Sequence, residues 1–450
     1  MKRRVAIPLL YVLFLAASIA LVFAANDQEL LTKEEASSGF VNPVFLSFRL
    51  QHHVFSTNFY SYAYLWLASH LVHGLFYARF AKAAILGLLP CFVYLHLRKQ
   101  FDFGSGQAFL AALAISTLPG YIAFSWIGVD IGMETPIGWG ALWLALFDTP
   151  AAILASSFFA AVSAECYGAG VVFLIAVAAS HLVRFHRSQR LTLAAGFAVM
   201  LVVLLVPVFW WTNVQTLFTG GAGDPTRHGA VDRLITLAKE LAVRGDSYYF
   251  FSDGAPALGS LFIASIAAAG VAVALRDLRR TWPLMLISAL SIAIYAIAGN
   301  VIGVRRAIPL VVCLGVFACL FLRTLAASRT LSVRAAGYGA MALWLGLSAY
   351  DYLSLRSGLA SASIPLPKDF DFPIPTGETM ASVVEKILNG SAALPPDLAG
   401  YEPDRTLAIL YLLGKRNEEF SPREIVQRCD AHGWSIPSDS PRFVRIRKRK

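Results

Sequence analysis

The sequence predicts an all-α polytopic membrane protein with a small polar C-terminal region. Three observations predict it. Of 450 residues, 57% are hydrophobic and only 15% are charged, and the mean hydropathy is +0.61, a balance outside the range of soluble globular chains. Apolar runs near the length of a bilayer crossing recur along the first 350 positions. The charge is uneven: residues 352–450 hold 14 Lys or Arg and 12 Asp or Glu. These observations divide the chain into a transmembrane domain, 1–351, and an external soluble C-terminal region, 352–450, without an assigned role. The formal net charge is +10, and most of the excess lies among the apolar runs. It therefore reads as membrane topology, and no nucleic-acid partner is expected.

The runs fall at 5–25, 83–97, 106–123, 135–147, 150–165, 168–183, 191–212, 257–275, 282–299, 307–323 and 333–350, about eleven spans by the length criterion. The first follows Met1-Lys2-Arg3-Arg4 and is read as an uncleaved span. Alternate loops carry Arg98 and Lys99, then Arg184, Arg187 and Arg190, then Arg276, Arg279 and Arg280, then Arg323, Arg329 and Arg334. Under the positive-inside rule these loops and the N-terminus face the cytoplasm and the tail faces outward, across the plasma (inner) membrane. The short turn at Asp148 is the one inward loop without this signature.

Three outward segments are long: 26–82, 213–256 and the tail. The stretch 59–76, FYSYAYLWLASHLVHGLF, would reverse every later basic loop if it crossed the bilayer. It is therefore read as an interfacial helix, with His70 and His73 on one face. Residues 229–244 alternate Val231, Leu234, Ile235, Leu237 and Leu241 with Asp232, Arg233, Lys239 and Glu240, the pattern of a second surface helix. Both would frame an external cavity. The tail begins with four prolines at 365, 367, 373 and 375, which exclude a helix there. Three amphipathic helices are predicted beyond them, in 378–388, 404–415 and 421–433, followed by a basic end, RFVRIRKRK.

Candidate chemistry lies at the outward ends of the spans. Asp27 and Glu29, in AANDQELL, follow the first span. A partly desolvated carboxylate there suits a base toward a hydroxyl, and the competing reading is a solvated span end. Asp130 and Glu134, in GVDIGMETPIGWG, lie four residues apart. On a helix they would share a face and could orient a sugar, an acceptor or a divalent cation. Glu165, in SAECYG, is also outward. Arg305 and Arg306 stand outward against the positive-inside pattern. Their guanidinium forks suit a phosphate leaving group, with snorkelling to a lipid headgroup as the alternative. Five cysteines without CxxC spacing give no disulfide framework. His52 with His53, and His70 with His73, lack a converging acid or thiol, so no metal site is expected. Asn389-Gly390-Ser391 reads as a turn.

Taken in order, these pieces resemble the GT-C membrane glycosyltransferases, in particular the protein O-mannosyltransferase and aminoarabinose-transferase branch. The acids after the first span and the long external loop ending in YSYAYLWLASHLVHGLF are similar to that family's opening. ARFAKAAILGLLPCFVYLHLRKQF, GVDIGMETPIGWGALWLAL and RRAIPLVVCLGVFACL resemble its second span, its second acidic segment and its late RYxLP span. Gln28 separates acids that are adjacent in the family, Arg306 stands where an aromatic is common, and the tail from about 356 has no counterpart. The resemblance implies a GT-C-like bundle with external interfacial helices. It also implies inverting transfer of a hexose or pentose from a polyprenyl-phosphate donor to a lipid, glycan or protein acceptor on the external face. In that scheme Asp27 or Glu29 is the base, Arg305 and Arg306 hold the donor phosphate, and Asp130, Glu134 and Glu165 orient substrate. No cofactor is required, although a divalent cation would fit the acids. A transporter or flippase of lipid-linked sugars would also use many spans with charges, but the acids cluster at one face and no internal repeat is visible. A polysaccharide polymerase or ligase shares the chemistry and remains a third reading.

Overall fold

The computed structural model describes residues 59–71, 77–125, 132–184, 189–207, 229–243, 256–297, 304–361, 434–435 and 447–448, with helical positions 9, 12, 13, 16 and 17 of the expected first span. The rest of that span, Asp27, Glu29, Asp130, His52, His53, His73, the three expected tail helices, the Asn389 turn and Cys429 lie outside the described residues. For His70 and Arg305 only the backbone is described.

The described chain is a helical bundle. In order it contains α1 (Phe59–Leu71), α2 (Tyr77–Leu86), α3 (Leu88–Gln100), α4 (Ser105–Ser116), α5 (Pro119–Ser125), α6 (Glu134–Leu144) and α7 (Pro150–Cys166). It continues with α8 (Val171–Val183), α9 (Arg190–Leu205), α10 (Ala230–Ala242), α11 (Leu261–Arg276), α12 (Leu278–Ile297), α13 (Ile308–Ala326) and α14 (Leu331–Ser361). One antiparallel ladder of two residues, β1 (Trp434–Ser435) with β2 (Arg447–Lys448), is the only strand pairing among the described residues.

Among those residues three helical segments are long and apolar enough to cross a membrane: Phe80–Gln100, Leu278–Ile297 and Ile308–Ala326. Shorter apolar helices occupy Ser105–Ser116, Pro150–Cys166, Gly168–Val183, Arg190–Leu205 and Leu261–Arg276. The protein is thus a polytopic helical membrane protein, with elements at most of the expected positions. Several elements depart from the expected bounds, among them the following three. The run 106–123 is broken into α4 and α5 at Pro119, whose ring removes a helical donor and disfavours the helical conformation at Leu118. The run 257–275 begins its helix only at Leu261, because Ala257 and Leu258 donate instead to the carbonyls of Glu240 and Leu241. The last helix continues past residue 350 to Ser361.

At the centre is α13, apolar all round and buried from Ile308 to Phe317 save Leu314. It packs on α4, α11, α12 and α14. Its closest neighbour is α11. A Cβ on Gly270 would lie 2.0 Å from the Phe317 carbonyl oxygen, so only glycine lets the two backbones approach this closely.

The basic loops meet at one end of this bundle. Arg323 donates to the carbonyls of Phe101 and Asp102, and Arg280 pairs with Asp102 at 3.0 Å. Nearby, Gln100 donates to the Arg280 carbonyl at 2.9 Å, Arg184 to the Ala145 carbonyl at 2.9 Å, and Gln189 to the Asp148 carbonyl at 2.8 Å. The turn at Asp148, the one expected inward loop without basic residues, is therefore capped by residues of the basic loop after α8.

Candidate active site

The opposite end collects the acidic and cationic side chains. It is assembled from α1, the start of α2, the start of α6, the end of α7 and the turn Val304–Ala307.

Glu134 opens α6 and is completely buried. It is held by the chain immediately before it: the Gly132 amide donates to Oε2 at 2.8 Å, and the Thr135 hydroxyl to Oε1 at 3.2 Å. Gly132 has φ of 92°, which sends the chain into the helix from the side. The helix begins at Glu134 itself. Asp130, expected on the same helical face, lies outside the described residues. The Glu134 carboxylate satisfies donors at its own helix entrance, a favourable position for negative charge. Glu134 lies one residue outside the expected span, and burial pushes its carboxyl up to about 7, opposed by these hydrogen bonds and by the charge of Lys82.

Lys82 is the functional candidate that sequence reasoning missed. Its side chain is fully buried near the outward end of Phe80–Gln100, close enough to act electrostatically on Glu134. The signal was present as a lone cation in the apolar run AKAAIL, but it sits one residue before the boundary assigned to the span. Buried lysine among transmembrane helices marks a pathway or a ligand site by default, because its desolvation is costly. Tyr121 of α5 also lies within electrostatic reach of Glu134, and its hydroxyl donates to the Leu86 carbonyl at 3.1 Å.

Glu165 stands at the end of α7 with only 9% of its surface exposed. It is brought to Glu134 by helix pairing: α6 and α7 are adjacent, and the Ser163 hydroxyl donates to the Glu134 carbonyl at 2.7 Å. The aromatic helix α1 caps this corner. Ser61 donates to the Cys166 carbonyl at 2.9 Å, and Tyr60 to the Val203 carbonyl at 3.0 Å. Burial, and then the charge of Glu165, push the Tyr60 phenol up to about 12.

Arg306 is half-buried in the turn Val304–Ala307. That turn touches Gly168–Gly170, the short helical turn just after Glu165, and also α10. The expected surface helix is therefore part of the site wall. It is tied down by Tyr295, which donates to Glu240 at 3.0 Å, and by Arg233, which donates to the Ala296 carbonyl at 2.9 Å. Of the sequence-derived candidates, Glu134, Glu165 and the Arg305–Arg306 segment thus come to one end of the bundle. Among the described residues no three His, Cys, Asp or Glu side chains group as a metal site.

No protein-family model matches the chain, and no curated protein matches it by sequence. The fold does have solved counterparts. ArnT from Cupriavidus metallidurans, in the crystal structure bound to undecaprenyl phosphate, aligns with a TM-score of 0.56 at 14% identity, over 93% of this chain and 88% of that one. The apo state of the same ArnT aligns with a TM-score of 0.55 at 14% identity, over 90% and 84%. ArnT, an aminoarabinose transferase, has the GT-C fold, and the likeness gives this chain the same fold across almost its whole length.

Proposed function

We propose that this GT-C-folded chain transfers a sugar from a polyprenyl-phosphate donor to an acceptor hydroxyl or amine at the outward face of the membrane. The observation that carries the reading is the gathering of Lys82, Glu134, Glu165 and Arg306 at one end of a fold otherwise built from apolar helices. Charges are excluded from such a bundle unless they are paired or used. The fold match to an ArnT bound to undecaprenyl phosphate supports a polyprenyl phosphate as the ligand class.

In this mechanism the acceptor loses its proton to a carboxylate, for which Asp27 and then Glu29 are the candidates. Its heteroatom attacks the anomeric carbon with inversion as the bond from that carbon to the phosphate oxygen breaks. The polyprenyl phosphate leaves with the electron pair. Cations neutralise the charge that develops on it, which is the role proposed for Arg305, Arg306 and the buried Lys82. Glu134 and Glu165 orient the sugar or the acceptor. The sugar is a hexose or pentose, and the chemistry requires no cofactor. In this scheme the N-terminus is cytoplasmic and the tail lies outside a plasma membrane, as the basic loops favour.

The test is transfer itself. Membranes containing the chain, incubated with radiolabelled polyprenyl-phosphate sugars, should move label to a membrane or glycan acceptor, and Asp27→Asn should reduce this by about 10²-fold or more. Movement of labelled lipid across the bilayer without bond cleavage would replace the transferase by a flippase.

A further inference from the structure

The end opposite Glu134 holds a second charged feature that the transfer chemistry does not use. The last turn of α3, the end of α8 and the start of α12 enclose a cleft of about 800 Å³, lined by Gln100, Arg184, Asp277, Arg279, Arg280 and Trp282. Three arginines face one aspartate. Two of the guanidiniums are positioned by the fold: Arg280 through Asp102 at 3.0 Å, and Arg184 through the Ala145 carbonyl at 2.9 Å. Each guanidinium has five N–H donors, so these bonds leave donors over. Arg279 is exposed and adds a third cation. Because α12 is a 20-residue helix starting at Leu278, the amides of Leu278 and Arg279, which precede its first bond at Arg280, also add partial positive charge beside the cleft.

What surrounds the cleft selects the ligand. Leu182 is 60% exposed, Val183 70% and Leu278 49%. Val183 lines the cleft, and Leu182 and Leu278 adjoin lining residues in the chain, which gives an apolar collar; Trp282 is half-buried within the lining, as tryptophans are at the depth of lipid headgroups. A free phosphate would satisfy the guanidiniums and leave the collar bare. A lipid satisfies both.

We propose that this cleft seats the phosphate headgroup of an anionic phospholipid, with its acyl chains lying along Leu182, Val183 and Leu278. Arg184 and Arg279 contact the phosphate, and the lipid bridges α8 to α12 at the end of the bundle where the basic loops gather. The site is separate from the sugar-transfer end: α3 begins near Lys82 and ends at Gln100, and α12 begins at the cleft and ends beside Tyr295. Basic pockets between transmembrane helices commonly recognise anionic headgroups in this way.

The full chain, purified into nanodiscs, is to be titrated with spin-labelled phosphatidylglycerol and, separately, with spin-labelled phosphatidylcholine. The parent should hold the phosphatidylglycerol probe preferentially. Arg279→Gln should reduce that preference about fivefold, and adding Arg184→Gln should reduce it further by a similar factor. Arg334→Gln, which removes an exposed arginine outside the cleft, should leave it unchanged. Among the described residues no hydrogen bond anchors the Arg279 side chain, so that variant tests binding without dismantling the loop network, and an unchanged melting temperature checks this. Equal retention of the two lipids by the parent, or an unaltered preference in Arg279→Gln, overturns the proposal. Saturable binding of inorganic phosphate in pure phosphatidylcholine discs, with no phosphatidylglycerol preference, would make this a free-anion site and overturn it equally.

Discussion

The Tyr295 hydroxyl donates to Oε2 of Glu240 at 3.0 Å, and both side chains are buried. With the bond from Arg233 to the Ala296 carbonyl, it joins the amphipathic helix α10 to the outward end of the membrane helix α12. The next link is made by backbone: Ala257 donates to the Glu240 carbonyl, and Gly120 donates to the Ala257 carbonyl, each at 2.9 Å. Helix α10, the entrance to α11 and the start of α5 are thereby one connected unit at the wall of the site.

Tyr295→Phe should loosen that unit. The substitution keeps the ring and strips a buried carboxylate oxygen of this donor, a loss of about 1–3 kcal/mol. Hydrogen exchange at residues 230–242 should accelerate, while the amides of α13 keep their protection. Unchanged exchange in α10 would show that its apolar face, Leu237 against Leu310, and the Arg233 bond to the Ala296 carbonyl suffice to hold it.

Glu134→Gln keeps the shape and an acceptor oxygen for Gly132, but removes the ionisable group beside Lys82. Sugar transfer should fall by about 10²-fold, the cost of a misplaced substrate. Stability has a defined pH sign. Burial raises the Glu134 carboxyl to about 7, so the folded chain keeps a proton that the unfolded chain releases from the ordinary carboxylate range upward. The contribution of this group is fully present below that range and is lost as pH rises through about 7. Melting temperatures of the parent should decline across that window, and Glu134→Gln should flatten the decline.

Arg306→Ala should raise KM for the polyprenyl-phosphate donor more than it lowers the melting temperature, because a charge-assisted contact to phosphate is worth about 1.5–3 kcal/mol. If the variant uses donor at the parent KM, the phosphate is held elsewhere, and Lys82→Met becomes the deciding variant.

Gly259→Ala should destabilise the chain. Gly259 has φ of 82°, and an added Cβ would lie 2.7 Å from Oδ2 of Asp351 and 3.3 Å from the Pro119 ring. Left-handed backbone costs a residue with a side chain about 1–2 kcal/mol before any clash is counted. A fall of several degrees in melting temperature is expected, and an unchanged value would mean that this turn relaxes freely.

At the opposite end, Asp102→Asn and Arg323→Gln should separate two kinds of electrostatic contact. The Asp102–Arg280 pair has side-chain exposures of 67% and 49%, so solvent screening limits it to less than about 1 kcal/mol. Arg323 instead donates to the carbonyls of Phe101 and Asp102 and lies over the Phe103 ring at 4.8 Å. Its removal leaves carbonyl groups of the Phe101–Phe103 loop without their donor and should lower the melting temperature more than Asp102→Asn does.

The sequence by itself determined the class of the molecule, because burial of apolar runs in a bilayer and the placement of arginines depend on composition and order alone. The helices at Pro150–Cys166, Leu278–Ile297 and Ile308–Ala326 were legible for this reason, and so was the amphipathic period of Ala230–Ala242. Glu134, Glu165 and Arg306 were legible as charges that a membrane segment does not carry without use. Only the tertiary structure decided what these charges meet. That α7 lies against α6, so that Ser163 reaches the Glu134 carbonyl, is a fact of packing between segments that no local pattern encodes. The same holds for Lys82, which looks like the solvated edge of a span until the surrounding helices bury it completely beside Glu134. Periodicity reports which face of a helix is apolar, and it is the packing of one helix on another that brings distant charges into one site.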